Sequence, residues 1–357
     1  MIIFGAQGYA LATYKAYSLL YPELEMVCFM VSDIGYNKRS LEGIPVKEVS
    51  EVAEEFHDDV SDIEILIATP EDVQPEVIKL LEKYGFIRYK RLTYELWSEL
   101  MVSYHSIIKK FIALRSLSLP DRAPIKLCSY VARFYKDKPV KSVRIDKLTH
   151  FVDIQVGALL SQEYVADIRD DIGENISHKN PNYSELTGLY WVWKHVLSVG
   201  RDADYIGFMQ YRRVFDLTED DMRRIAGNDI NVVLPFPLMY DPDINAHHKR
   251  YLKDLDWQAL LQALRELQPE YADAFTAVLS QQYFYNYNVI IAKRDVLKDY
   301  CEWLFPILHR VEELSDPKGW ERADRYIGYM AESLETLYFM KNKDRLKIAH
   351  TGVKMLV

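Results

Sequence analysis

The first seventy or so residues carry an alternation that few architectures can satisfy. Residues 1–4 read as a short apolar strand, residues 5–10 as a glycine turn, the positions through Leu20 as a helix, and residues 25–31 and 63–68 as two further strands. Parallel strands cannot be closed by a hairpin and need a crossover, usually a helix. Strand, glycine turn, helix, strand therefore marks the opening of a parallel, doubly wound sheet. A dinucleotide would ask for G-x-G-x-x-G at that turn. Gly5 and Gly8 are present, but Gln7 stands where the second glycine would let backbone approach a pyrophosphate. Asp33, at a strand end, is the matching candidate for a ribose-binding acid. Three readings follow: a weak nicotinamide site on Gly5, Gly8 and Asp33, a partner or regulatory nucleotide site, or a turn that only closes the fold.

Apolar positions across residues 87–119 suit one or two connecting helices, and Pro120 and Pro124 then break the pattern. The expected division is a Rossmann-like domain over 1–118 and a second α/β domain over 125–357. Strand character resumes at 125–130, and the basic residues Arg133, Lys136, Lys138, Lys141, Arg144 and Lys147 follow. That run is a solvated face or an aid to holding an acidic membrane surface.

Residues 170–194, DDIGENISHKNPNYSELTGLYWVWK, have two characters. From Asn182 onward the spacing is helical: Asn182 and Glu185 suit a capping box, and Leu186, Leu189, Tyr190, Trp193, Val196 and Leu197 form one apolar stripe, with Gly200 as its stop. The part before it has no period and reads as an ordered polar loop at the mouth of a helix, a place that favours anions. Downstream, residues 204–209 read as a buried strand running straight into Gln210, Tyr211, Arg212 and Arg213. Ligands of open α/β sheets bind beyond the carboxyl ends of strands, and paired guanidinium groups there can fork onto phosphate oxygens. Alternatively one arginine braces the loop through Asp170 or Asp171.

Composition narrows the function classes. The net charge of −9 disfavours a broad nucleic-acid surface, which needs clustered Lys and Arg. Three scattered cysteines outline neither a disulfide framework nor a metal knuckle, and no window reaches a membrane span. The expectation is a chain neither secreted nor membrane-spanning, placed in the cytoplasm or at the inner face of the cell membrane.

The run from DDIGENISHKNPNYSELTGLYWVWK to DYIGFMQYRRVF, with YNYNVIIAKRDVLKDYCEWLF and RYIGYMAESL, resembles a family of bacterial surface-polysaccharide glycosyltransferases from capsule and O-antigen clusters, long catalogued as a domain of unknown function. The resemblance extends from about Ile125 to the C-terminus and takes in Gln155, Val156 and Gly157. It departs at Gln210, where the family commonly has His. It implies a GT-A-like nucleotide-sugar transferase domain that moves a hexose, with galactofuranose as the candidate that characterised relatives bring, from a UDP-sugar to a saccharide acceptor, lipid-linked in some settings. The opening domain resembles the Rossmann-like units fused to sugar-modifying enzymes.

Glycosyl transfer needs stabilisation of the leaving nucleoside diphosphate and, if configuration inverts, a carboxylate that accepts the acceptor's proton. On the resemblance, Glu332 is the expected base, with Asp170 and Asp171 as rivals. The expected donor contacts are Arg212, Arg213, Tyr211, Gln210, Asn175, Lys179, Asn180, Gln155 and Gly157. Tyr287, Asn288 and His248 are the expected acceptor contacts, since aromatics beside amides suit a sugar ring. Three D-x-D triplets, at Asp202/Asp204, Asp241/Asp243 and Asp254/Asp256, leave Mn²⁺ or Mg²⁺ open. An NAD-dependent oxidoreductase acting through the first domain, and a non-catalytic sugar-nucleotide-binding protein, are the competing functions.

Overall fold

The computed structural model describes residues 1–140, 150–199 and 203–356. Lys141, Arg144 and Lys147 of the basic run, the expected helix stop Gly200, and Asp202 lie outside the described residues.

Two sheets carry the chain. The first has six strands in the spatial order Ser40–Leu41, Ile44–Glu48, Cys28–Val31, Ile2–Phe4, Glu64–Ile67, Arg88–Arg91. All pairs are parallel except the outermost, Ser40–Leu41 against Ile44–Glu48. The chain starts in the middle and winds outward in both directions, the order of a doubly wound nucleotide-binding half. The three strands expected from the sequence pattern are present at nearby bounds, whereas Ser40–Leu41 and Ile44–Glu48 have no counterpart in it. Arg88–Arg91 also differs: the segment read as helix is an edge strand, and its charged side chains guard an unpaired edge. The connecting helix is Tyr94–Ile108.

The second sheet has ten strands, with a central path Ile168–Arg169, His150–Gln155, Leu127–Arg133, Tyr205–Gln210, Ile290–Lys293, Val232–Pro235, Ile348–Thr351, Ile112–Ala113. Leu127–Arg133, His150–Gln155 and Tyr205–Gln210 run parallel, and Ile290–Lys293 is inserted antiparallel between Tyr205–Gln210 and Val232–Pro235. Ile112–Ala113 belongs to this sheet, pairing parallel with Ile348–Thr351 although it precedes the proline-bounded linker. The chain is thus an α/β protein with a Rossmann-like parallel sheet followed by a mixed sheet.

One apolar core joins them, running from Ile3 and Leu11 through Trp97 and Tyr104 to Phe236, Tyr240 and Leu334. The helix Gly8–Leu20 packs against Tyr94–Ile108, and at Gly8 the second half comes close. A Cβ there would lie 2.9 Å from Leu238 Cβ and 3.1 Å from the Tyr240 ring. The volume a pyrophosphate would occupy on a dinucleotide-binding turn therefore holds side chains of the other half. Gly5, at φ +123°, is needed for its backbone conformation, and Asp33 sits exposed in a turn. Of the residues in the nicotinamide reading, Gly8 is thus covered by the second half, while a small cavity remains beside Ala6, Gln7 and Lys38.

The polar loop and its helix also differ from the pattern. Instead of one helix starting near Tyr183, a short helix Asn180–Tyr183 breaks at Ser184 (φ +51°), Leu186–Val192 resumes, and a π-helical turn, Trp193–Leu197, ends it. Asn182 and Glu185 form no capping box. The Asn182 amide donates to the carbonyls of Gly319 and Arg322, and Glu185 accepts from Asn288, so long-range partners outcompete the local cap. The apolar stripe itself holds, with Leu186, Leu189 and Leu197 buried.

Candidate active site

A cavity of about 690 Å³ opens beyond the carboxyl ends of the parallel strands of the second sheet. Ala132 and Val156 come from two strand ends, and Gln210, Tyr211, Arg212 and Arg213 leave the third. The opposite wall is the first turns of the helix Tyr326–Lys341, with Arg325, Gly328, Tyr329 and Glu332, and the floor includes Tyr287. Of the non-glycine residues with positive φ, Ser184, Tyr287 and Arg325 line this cavity and Asn288 adjoins it. Such backbone conformations cost free energy and persist where surrounding structure holds them, a pattern typical of functional sites.

Asp137, Glu185 and Glu332 line this space, and the expected base among them is Glu332. Its Oε1 accepts from the Tyr287 amide at 2.8 Å. Burial pushes its carboxyl up to about 8; the backbone amide opposes the shift, Glu185 adds to it, and Arg213 and Arg325 oppose it. A carboxyl that titrates there is matched to taking a proton near neutral pH. Three residues on, the buried Glu335 is held well above the usual carboxylate range, first by burial and then by Glu332 and Glu185.

Facing it are guanidinium groups with spare donors. Arg213 donates to Gln210 Oε1 at 2.9 Å and lies over the Tyr287 ring at 4.3 Å. Arg212 reaches Asp72 at a long 3.4 Å. The Nε atoms of both are buried and without a protein partner. Arg325 donates from its side chain to the Ser184 hydroxyl at 2.9 Å. Arg213 and Arg325 act on Glu332 and Arg212 lines the same cavity, and with donors unspent these cations form a receptor for an anion.

The structure gathers Gln210, Tyr211, Arg212, Arg213, Asn180, Tyr287, His248 and Glu332 on this cavity. Asn288 stands just behind, donating to Glu185 at 2.8 Å. The remaining candidates lie elsewhere. Asp170 is fully buried, accepting from the amides of Gly157 and Ala158 at 2.8 and 3.0 Å and from the Ser177 hydroxyl. Asp171 pairs with Arg169. Asn175 braces its own loop through the carbonyls of Asp171 and Gly173, and Lys179 pairs with Glu312 on the far helix. Gln155 is spent on the backbone of Glu163 and Val165. Gly157, at φ +61°, leaves room for Asn180, whose Cγ would be 2.7 Å from an added Cβ. These residues hold the polar loop that forms one rim of the cavity.

His247 and His248 both line the cavity. Burial depresses both to about 3, so both are neutral, and His248 Nε2 meets the Ser333 hydroxyl. His247 stacks on Tyr240 and Tyr251 stacks on Tyr329, giving the cavity an aromatic side. Sequence reasoning passed over Arg325, Glu185, Tyr240, Tyr251 and Tyr329. Only Arg325 had a signal, its place seven residues before Glu332.

Of the D-x-D triplets, the first includes Asp202, which lies outside the described residues, and the other two have carboxylates engaged with the protein itself. Asp241 pairs with Lys38, Asp243 caps the helix Ile244–His248, and Asp256 is sealed against Arg322. Among the described residues no group of three His, Cys, Asp or Glu side chains is arranged to hold an ion. Nor, among those residues, is any helix long and apolar enough to cross a membrane.

Sheet order and cavity define an α/β protein of the Rossmann-like and GT-A-like class. Residues 138–343 match the family described as Domain of unknown function (DUF4422), more than half of the chain, and the chain belongs to that family. No curated protein matches it. Among solved structures it is similar to the WbbM bifunctional glycosyltransferase in its apo form, at 27% identity and a TM-score of 0.53. The similarity covers 65% of this chain and 45% of that one, so the chain spans under half the length of its solved neighbour.

Proposed function

We propose that the chain is a glycosyltransferase that moves a hexose, galactofuranose being the leading candidate, from a UDP-sugar to a saccharide acceptor in capsular, exopolysaccharide or O-antigen synthesis. The observation that carries this reading is Glu332, a carboxyl raised to about 8 inside a cavity ringed by Arg212, Arg213 and Arg325. The likeness to a protein named as a glycosyltransferase supports it. The family resemblance supplies the polysaccharide setting, and with it a place in the cytoplasm at the inner membrane face, where a lipid-linked acceptor would be met.

In the inverting mechanism that this arrangement favours, the acceptor hydroxyl oxygen attacks the anomeric carbon as its proton passes to a Glu332 oxygen. The bond from that carbon to the diphosphate oxygen breaks, and UDP leaves with the electron pair. Arg212 and Arg213, with Arg325, balance the charge that develops. Tyr211, Gln210 and Asn180 frame the donor. The neutral aromatic side, Tyr240 with His247 and Tyr251 with Tyr329, offers ring faces to the C–H faces of the acceptor.

A UDP-release assay over a panel of UDP-hexoses, with and without oligosaccharide acceptor and Mn²⁺, tests the proposal. Acceptor-dependent release that Glu332→Gln abolishes supports it. UDP binding without turnover would leave a sugar-nucleotide-binding protein, and stabilisation by NAD but not by UDP would overturn it.

A further inference from the structure

The mechanism above leaves one carboxyl of the cavity wall, Glu185, without a part. The helix break at Ser184 (φ +51°) puts it there: Asn180–Tyr183 ends, Leu186–Val192 starts, and Glu185 is the last residue between them, on the cavity. A glutamate in a capping box would fold back on the amide of the capping residue. Here Asn182 is bound to Gly319 and Arg322, and Glu185 turns instead to Asn288. Its Oε1 accepts from Asn288 Nδ2 at 2.8 Å, and its second oxygen meets no protein donor among the described residues.

Asn288 fixes that arrangement. It is buried at φ +50°, and its Nδ2 also lies 3.4 Å from the carbonyl of Gly328, one turn before Glu332. Turning the amide over would set Oδ1 against two acceptor oxygens, so its orientation is set. That Oδ1 is buried and has no protein donor, a further acceptor left open beside Glu185. The preceding residue, Tyr287, holds the base in a similar way, its amide on Glu332 Oε1 at 2.8 Å. Two carboxyls of one cavity are thus held by two consecutive residues. A carboxylate repels a diphosphate but accepts from hydroxyls, and a sugar ring carries hydroxyls on neighbouring carbons.

We infer that Glu185 is a sugar-binding residue that sets specificity: it accepts a hydrogen bond from a hydroxyl near the reacting centre, and the site selects a hexose that bears it. This rests on the transferase reading and names a sugar contact within it. The hydroxyl belongs to the donor hexose or to the acceptor, and the experiment separates the two.

Glu185→Gln is the discriminating variant. Its amide oxygen can still accept from Asn288, while its NH2 group puts a donor where the open acceptor was, so the melting temperature stays close to the parent's. Calorimetric titration with UDP, UDP-hexoses and methyl hexosides, each sugar with its monodeoxy analogues, reads binding without turnover. The variant binds the preferred sugar about tenfold or more weakly and UDP as the parent does; one deoxy analogue costs the parent as much and the variant nothing further. Loss confined to UDP-hexoses assigns the contact to the donor, and loss confined to methyl hexosides assigns it to the acceptor. In the UDP-release assay the KM of that sugar rises with kcat changed less. A parent that gains nothing from any sugar, a variant that binds every sugar as the parent does, or a variant that melts as low as Glu185→Ala and loses UDP as well would overturn the inference. If the parent released no UDP from any donor, the transferase reading would fail while the titrations still decided whether Glu185 holds a sugar.

Discussion

Glu332 and the arginines opposite it are in tension with stability. The folded-state titration of Glu332 lies at about 8 against a reference of 4.5, so the folded chain binds the extra proton between those values. Stability from this group is complete below the lower value and is lost as pH rises through the upper one. Glu332→Gln is accordingly expected to melt a few degrees above the parent near pH 8, with the gap closing toward pH 5, by scanning calorimetry at each pH. The same substitution should lower turnover by about 10²–10⁴-fold while UDP affinity, measured by calorimetric titration, hardly moves. Parent turnover should rise with pH toward a plateau above about 8, as the base must be ionised to accept a proton. For Arg213→Ala, loss of a charge-assisted contact predicts about 10- to 100-fold weaker UDP binding, and Arg213→Lys should not restore it, since a single ammonium cannot replace the fork.

The polar loop before Leu186–Val192 works as an element, and Asp170 is its organiser. Three donors converge on this fully buried carboxylate, two of them backbone amides that open the turn Ala158–Leu160. Asp170→Ala leaves them unsatisfied and should cost about 3 kcal/mol or more, read from the denaturant midpoint, while the folded fraction keeps its UDP affinity. Turnover lost with no loss of stability would return Asp170 to the chemistry. The helix Tyr326–Lys341 acts similarly at the other wall. Its preceding residue Arg325 takes a left-handed conformation with its amide on the Pro181 carbonyl, tying the loop to the helix that carries Glu332.

Across the whole molecule the two sheets share one core, with His105 of the connecting helix stacked on Phe236 of the second half. One cooperative calorimetric transition is expected, rather than one per sheet. Burial depresses His105, His247 and His248 to about 3 and His350 to about 4, against a reference of 6.5. The unfolded chain takes up protons in that window and the folded chain does not. Stability from these four is complete above about 6.5 and lost on acidification toward those values, so the melting temperature should fall steadily from near-neutral pH to about pH 4.

Residue periodicity and turn chemistry determined the parallel opening sheet, the buried strand that ends in Gln210, Tyr211, Arg212 and Arg213, and the apolar stripe behind the polar loop. These are local patterns, and burial of alternating or helical faces enforces them wherever they occur. The resemblance pointed to Glu332. What only the tertiary structure decided is which polar residues of a crowded loop face the cavity and which hold it up. Asp170, Asp171, Asn175 and Lys179 have the same composition signature as ligands, but each meets its partner within the loop or on a distant helix. Nor could any spacing reveal that Gly8 serves close docking instead of a phosphate, or that Arg325, Tyr251 and Tyr329 come to the same space as Arg213. Those outcomes depend on which surfaces meet when the chain packs, a relation between positions that no local pattern links.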